Sequence, residues 1–234
     1  MTRTLILETS SRIGSVAIAS GEPPQLLQSH RFSAPQRHTV ELLPACHDLV
    51  SGRGWQPDQI EMIYVSSGPG SFTGLRIGIT VAKTLANAAN ARLVAVPTLD
   101  AIAHAAPREF DNLAVVLDAK RGQLYAACYL RNGGGWEKTM PECTIAPQHL
   151  LSISPRPLQL TGEGIAYHRE ELTAVDVHFT DETYWAPNVE HVFHVGAGQA
   201  SRGEFTRPEE LTPTYLRPPE AEEVWSRQRN QKRR

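Results

Sequence analysis

The stretch Gly68-Pro-Gly-Ser-Phe-Thr-Gly-Leu-Arg-Ile-Gly78 decides how this chain is read. Before it, Met62-Ile-Tyr-Val65 is a β-branched and aromatic run of the kind that makes a buried strand, and Ile77 to Ala89 after it is rich in helix formers. The stretch is therefore a strand-to-helix turn. Gly68 and Gly70 flank Pro69 and let the backbone turn sharply, and Ser71 is placed to cap the helix by accepting from its first N–H groups. A helix start with bare N–H groups suits an anion, and the same residues equally suit a tight packing turn. Spacing excludes two common phosphate loops. The dinucleotide fingerprint needs glycine where Thr73 stands, and the nucleoside triphosphatase loop needs Gly-Lys, whereas no lysine occurs until Lys83.

Upstream, Thr4 to Thr9, Ile13 to Ala19 and Leu26 to Phe32 read as three strands, joined by Thr9-Ser10-Ser11-Arg12 and Gly21-Glu-Pro-Pro24. Ser33-Ala-Pro-Gln36 has capping-box spacing, and Val40, Leu43, Cys46 and Val50 follow as the apolar face of a helix that ends at Ser51-Gly52. Pro44 lies inside that helix and is expected to bend it. Leu93 to Val96 is a further strand. The order is three strands, helix, strand, helix, strand. The rest repeats the plan in eroded form: Leu113 to Leu117 and Gln123 to Leu130 pair around Asp118-Ala-Lys-Arg-Gly122, a third strand follows Gly133-Gly-Gly135, and Asn188 to Ser201 makes a long helix.

A length of 234 residues suits one large domain or two small ones. The formal charge of −2 gives no overall pull towards nucleic acid, so contact with RNA must be local or come through a partner. Cys46, Cys128 and Cys143 form no C-x-x-C pair and read as reduced, buried thiols of a cytosolic protein. The apolar run at the N-terminus is too short for a signal segment, and no stretch reaches the length of a membrane span. The expectation is a soluble, cytoplasmic protein.

The eleven residues from Gly68 to Gly78 resemble the signature of the TsaB (YeaZ-like) family, accessory proteins of tRNA threonylcarbamoylation. Leu117-Asp-Ala-Lys-Arg-Gly-Gln-Leu-Tyr125 and Pro213-Thr-Tyr-Leu-Arg-Pro218, followed by Glu220-Ala-Glu222, resemble it too, so the likeness runs from residue 4 to about 222 and is weakest between 150 and 205. The resemblance implies an α/β fold of the actin-like ATPase and sugar-kinase class (ribonuclease H-like) in two lobes. Residues 1–105 would form the first lobe, 106–207 a smaller, degenerate second, and 208–234 a C-terminal segment, part of which joins the first lobe.

Its implied function is that of a non-catalytic scaffold for the complex that forms N6-threonylcarbamoyladenosine at position 37 of tRNAs reading ANN codons. The implied partners are the catalytic subunit TsaD, the ATPase subunit TsaE and, when TsaD is absent, a second copy of the chain. The tRNA would be met only through the complex. In active members of the superfamily the first hairpin turn approaches a metal-bound phosphate. The corresponding residues are Glu8, Thr9, Ser10 and Ser11, with Glu8 where aspartate is usual; they are candidates for a nucleotide contact, against the favoured alternative of a self-satisfied turn. The metal-binding histidines of the catalytic relative correspond to Thr98 and Ile102, which ligate neither iron nor zinc as a histidine does. No cofactor is expected to be required, although ATP or ADP at the partner interface is compatible with the resemblance. No catalytic and no metal residue is nominated.

Other clusters carry weaker signals. Asp118, Lys120 and Arg121 suit a solvated hairpin turn, and the resemblance turns that segment towards the cleft. His104 reads as a lone group, and His191 and His194 as a surface pair. No Ser-His-Asp order or Cys-His pair supplies a nucleophile.

Phe72, Leu75, Ile79, Ala82, Ala86 and Ala89 recur at three and four residues, and Gly74 and Gly78 leave a bare flank. Two glycines in a helix cost about 1 kcal/mol each against alanine, so a close neighbour is expected there. With Arg76 as a hydrogen-bond donor, Phe72, Gly74, Leu75, Arg76, Gly78, Ile79 and Ala82 are the candidate partner interface, against the alternative of packing on the chain's own first helix. The C-terminal run Arg227-Gln-Arg-Asn-Gln-Lys-Arg-Arg234 has five cations in eight residues and reads as a solvated tail within reach of tRNA phosphates. The rival functions are a sugar-kinase-like phosphotransferase, a glycoprotease-like hydrolase and a free-standing nucleotide-binding regulator.

Overall fold

The computed structural model describes residues 2–216, in which two five-stranded sheets follow one plan. In the first lobe β1 (Thr2–Glu8), β2 (Ser15–Gly21) and β3 (Pro24–Arg31) form an antiparallel meander. β4 (Met62–Gly68) and β5 (Arg92–Pro97) join in parallel, giving the order β3-β2-β1-β4-β5. Parallel neighbours need helical crossovers, and α1 (His38–Gly52) and α2 (Phe72–Ala89) supply them. In the second lobe β6 (Asn112–Asp118), β7 (Leu124–Asn132) and β8 (Gly135–Ile145) repeat the meander. β9 (Leu158–Thr161) and β10 (Val177–Phe179) repeat the parallel pair, in the order β10-β9-β6-β7-β8. α4 (Pro147–Ile153) and α5 (Gly164–Leu172) are its crossovers. This is the expected two-lobed, actin-like α/β architecture, except that the second repeat, expected in eroded form, has all five strands and both crossovers.

Each central strand is apolar on both faces because helices cover both. Along β1, Leu5 and Leu7 enter the core under α1 and α2, while Ile6 points to the opposite layer; β4 does the same with Ile63 and Val65 against Tyr64. That opposite layer corrects the expected lobe boundary. α3 (Thr98–Ala105) follows the first sheet, yet Leu99, Ile102 and Ala103 pack with Leu113, Val115 and Ala127 of the second. α6 (Val189–Ser201), assigned by sequence to the second lobe, lies on the first sheet, with Val192 and Phe193 against Ile6, Tyr64 and Val94. A Cβ on Gly196 would come 2.7 Å from the Tyr64 ring, so only glycine lets α6 lie this close. Each lobe thus lends its last helix to the other. The chain then returns to the first lobe: Thr206 bridges to Leu93, Leu211 enters the α1–α2 core, and Thr214 N–H donates to Ser67 C=O at 2.8 Å.

The first crossover differs from expectation in two ways. No capping box forms at Ser33, because Gln36 takes a positive φ of 63° and α1 starts only at His38; Ser33 instead donates its N–H and hydroxyl to the Glu41 carboxylate. The buried face of α1 is Leu42, Ala45, Cys46, Leu49 and Val50, and the expected core residues Val40 and Leu43 are 55% and 54% exposed. The second crossover starts at Phe72, earlier than its composition suggests, and Ser71 caps it as expected, with Gly74 N–H donating to its hydroxyl at 3.2 Å.

Candidate functional site

The glycine stretch meets the β1–β2 turn at the mouth of the cleft between the lobes. Ser71 N–H donates to Ser10 C=O at 2.7 Å, and a Cβ on Gly70 would stand 2.5 Å from that same oxygen. Thr9 sits deeper, under α2. A Cβ on Gly74 would fall 2.0 Å from Thr9 O, and one on Gly78 would fall 2.1 Å from Thr9 Oγ1. Both glycines are therefore spent on the chain's own hairpin.

Glu8 is fully buried and turned back on its own loop. Its Oε1 accepts from Ser10 N–H at 2.7 Å and from the Ser10 hydroxyl, and its Oε2 accepts from the Ser11 hydroxyl at 2.8 Å. Burial pushes the carboxyl above its usual range, with these donors pulling the other way. Of the four hairpin candidates, Ser10 and Ser11 line the cleft, whereas Glu8 and Thr9 do not. The cleft encloses about 280 Å³, with Arg12, Arg31, Thr98, Glu163 and Trp185 on its walls. Both carboxylate oxygens of Glu8 thus accept hydrogen bonds from the hairpin's own serines.

The second lobe brings Leu117 and Glu163 to the same cleft, and Asp118 follows Leu117 at the end of β6. Burial raises the Asp118 carboxyl, but hydrogen bonds from Lys120 outweigh this and, with His168, hold it below the usual range. Lys120 Nζ stands 2.6 Å from Asp118 Oδ2, and His168 lies between Asp118 and Glu171 at 3.3 and 2.8 Å. Glu163, on the Thr161-Gly-Glu-Gly164 turn, is raised by burial and then by Asp118. That turn is the second-lobe counterpart of the glycine stretch, and sequence reading missed it. Its signal was two glycines between a strand and a helix, and a Cβ on Gly162 would stand 2.2 Å from Val116 O.

Thr98 and Ile102 are buried at 1% and 0% exposure, Ile102 within the core between the lobes. Among the described residues no group of three or more His, Cys, Asp or Glu side chains is placed to hold a metal ion. The histidines are less dispersed than expected. His104 of α3 stacks on His194 of α6 at 5.1 Å and lies 6.2 Å from His191.

The partner-interface candidates divide. Gly74, Leu75, Gly78, Ile79 and Ala82 are buried within the first lobe, and of that set only Phe72 and Arg76 are exposed. The physical reason is that an apolar stripe covers its own sheet first. What α1 and α2 offer outward is a different row, Val40 and Leu43 with the part-exposed Ile77, Val81 and Leu85. At one end of it a groove of about 420 Å³ is lined by Leu43, Val50, Trp55, Leu85 and Ala89. The basic run at 227–234 and Glu220-Ala-Glu222 lie outside the described residues. Among the described residues no helix is long and apolar enough to cross a membrane.

Residues 32–223 match a model of the family described as TsaD, tRNA N6-adenosine threonylcarbamoyltransferase. The chain is 31% identical over 197 residues to the tRNA threonylcarbamoyladenosine biosynthesis protein TsaB of Bacillus subtilis, covering 81% of this chain and 84% of the relative. It is 28% identical over 224 residues to the TsaB of Escherichia coli, covering 92% and 94%. A solved structure from Pseudomonas aeruginosa, described as similar to peptidase YEAZ, superposes with a TM-score of 0.81 at 28% identity, over 93% of this chain and all of that one.

Proposed function

The chain belongs to the TsaB (YeaZ-like) family and is an accessory protein of tRNA threonylcarbamoyladenosine biosynthesis; from that premise we propose that it is the non-catalytic scaffold that binds and supports the transferase subunit TsaD. One observation carries this reading: the outer row of α1 and α2 leaves Val40 and Leu43 more than half exposed beside an apolar groove, a surface that water covers at a cost and a partner covers at a gain. The scaffold role is supported by chemistry that is already engaged. Glu8 is tied to Ser10 and Ser11, Thr98 and Ile102, which the resemblance sets against the catalytic relative's metal ligands, are buried, and Asp118 is paired with Lys120 and His168.

The same outer row takes a second copy of the chain when TsaD is absent, so self-association and TsaD binding exclude each other. TsaE joins the assembled pair, tRNA is met through the complex, and the protein works in the cytoplasm. It requires no cofactor of its own; any nucleotide sits where the partner completes the pocket.

The test is Leu43→Asp, which puts a charge on the exposed row and removes nothing from the core. We expect an unchanged melting temperature, loss of TsaD binding in titration calorimetry, a monomer in sedimentation, and reduced tRNA modification in the reconstituted system. Wild-type affinity for TsaD in this variant would reject the assigned face. Metal-dependent turnover by the purified chain alone would reject the non-catalytic role.

A further inference from the structure

The described part of the Pro213-Thr-Tyr-Leu-Arg-Pro218 segment lies beside the N-terminal turn of α2. Thr214 N–H donates to Ser67 C=O at 2.8 Å, Lys83 Nζ donates to Leu211 C=O at 3.1 Å, and the Leu211 side chain is 2% exposed. Thus anchored, the segment brings Tyr215 to α2. The rings of Tyr215 and Phe72 stand 5.2 Å apart, and the Arg76 guanidinium lies 3.9 Å above the Phe72 ring while its Nε–H donates to the Tyr215 hydroxyl at 2.9 Å. Beyond Tyr215, Leu216 C=O accepts from the Thr144 hydroxyl of β8 at 3.3 Å, so the strap also touches the second lobe.

This cluster is poorly explained as packing. Phe72 remains 42% exposed and Tyr215 39%, and Arg76 lies outside any core. Aromatic residues around a fixed arginine are the composition of an interface hot spot, and holding the guanidinium beforehand removes part of the entropy cost of binding. α2 contains Arg76 and Lys83 and no acidic residue, and among the described residues no carboxylate pairs with Arg76.

We propose that Tyr215, Arg76 and Phe72 form a docking platform in which the C-terminal strap supplies one of the three groups, and that its occupant is an acidic, partly apolar surface of the transferase subunit. A partner carboxylate meets the terminal amines of Arg76, and an apolar side chain covers the exposed ring surfaces of Phe72 and Tyr215. The proposal rests on the reading that α1 and α2 face that subunit, and it extends the footprint from the outer row to the strap.

The experiment uses the full chain and the purified TsaD subunit, with affinity and melting temperature measured for Tyr215→Ala, Arg76→Lys and, as the reference, Leu43→Asp. Tyr215→Ala is expected to raise Kd about ten-fold or more at a little-changed melting temperature. Arg76→Lys keeps the charge on an exposed helix position and cannot fail to fold, yet loses the planar stack and the Nε bond, so it too should weaken binding. A salt titration with Arg76→Ala as a further chain should show wild-type binding weakening more with added salt than the binding of that variant. Binding by Tyr215→Ala and Arg76→Lys within about two-fold of wild type would overturn the platform, since hot-spot residues cost more than that. Leu43→Asp separates the two claims. If it alone abolishes binding, the α1–α2 reading stands and only the platform falls; if none of the three matters, both fall.

Discussion

Gly78 lies directly on Thr9: a Cβ built on the glycine would reach within 2.1 Å of the Thr9 hydroxyl oxygen, while that hydroxyl is buried and has no hydrogen-bond partner among the described residues. One turn earlier, Gly74 meets the Thr9 backbone oxygen in the same way, at 2.0 Å. The glycines of the signature stretch therefore set the distance between α2 and the β1–β2 turn, and through it the shape of the cleft mouth.

This contact predicts that Gly78→Ala destabilises the fold by about 1–3 kcal/mol, the usual cost of overpacking. Thr9→Ala, which removes the clashing atoms and an unsatisfied hydroxyl, should restore most of that loss in the double variant. Gly74→Ala should resist the same rescue, because its clash is with backbone. Urea unfolding of the four chains completes a double-mutant cycle. Gly78→Ala melting like wild type while failing to bind TsaD would instead support a glycine flank that admits a partner helix.

The strands of both meanders and β4 and β5 were legible from apolar and β-branched runs between turn signals, and the helix after the glycine stretch because Ser71 and its periodic Leu75, Ile79 and Ala82 mark one side; β9 and β10, of four and three residues, are too short to show a pattern and went unread. Periodicity reports which face is apolar and is silent about what covers it. Leu75, Ile79 and Ala82 thus read as a partner surface although their own sheet covers them, and Val40 and Leu43 read as core although α1 turns them outward. Glu8 was placed correctly in its turn, but the donors around it were visible only once Ser10 and Ser11 had folded back. The meeting of His104 with His191 and His194 depends on two helices exchanged between lobes, a relation that no local pattern encodes.

Glu8→Gln tests whether the buried carboxyl is a turn-former or part of a phosphate site. Glutamine keeps the size but replaces one acceptor oxygen with a donor, which then faces the Ser11 hydroxyl or the Ser10 donors. A buried mismatch of that kind costs about 1–3 kcal/mol. The expected result is a lower melting temperature with tRNA modification by the reconstituted complex unchanged per folded molecule. An unchanged melting temperature with modification abolished would assign Glu8 to chemistry.

His104 and His191 predict a specific loss of stability in mild acid. His104 is pushed down to about 4, first by burial and then by the neighbouring charges of His194, His191 and Arg108; His191 is lowered as well, by burial and then by His194. In the unfolded chain these imidazoles take up protons near pH 6.5, whereas in the folded chain His104 stays neutral until about pH 4. Between those values the unfolded state binds more protons, so lowering the pH draws the equilibrium towards it. The contribution is fully present above pH 6.5 and is lost progressively on the way down to about pH 4, where the folded form also protonates. The groups that meet there are His104 on α3, Arg108 just beyond it, and His191 and His194 on α6, so the strain falls on the contact through which each lobe lends a helix to the other. Carboxylates also titrate at the acid end, so the informative comparison is the slope between about pH 5 and 6.5, where histidine dominates. Urea midpoints across that range should fall steeply for the wild-type chain and more gently for His104→Gln, which cannot take up the proton. Parallel slopes for the two chains would show that the α3–α6 cluster does not control the acid limit of this fold.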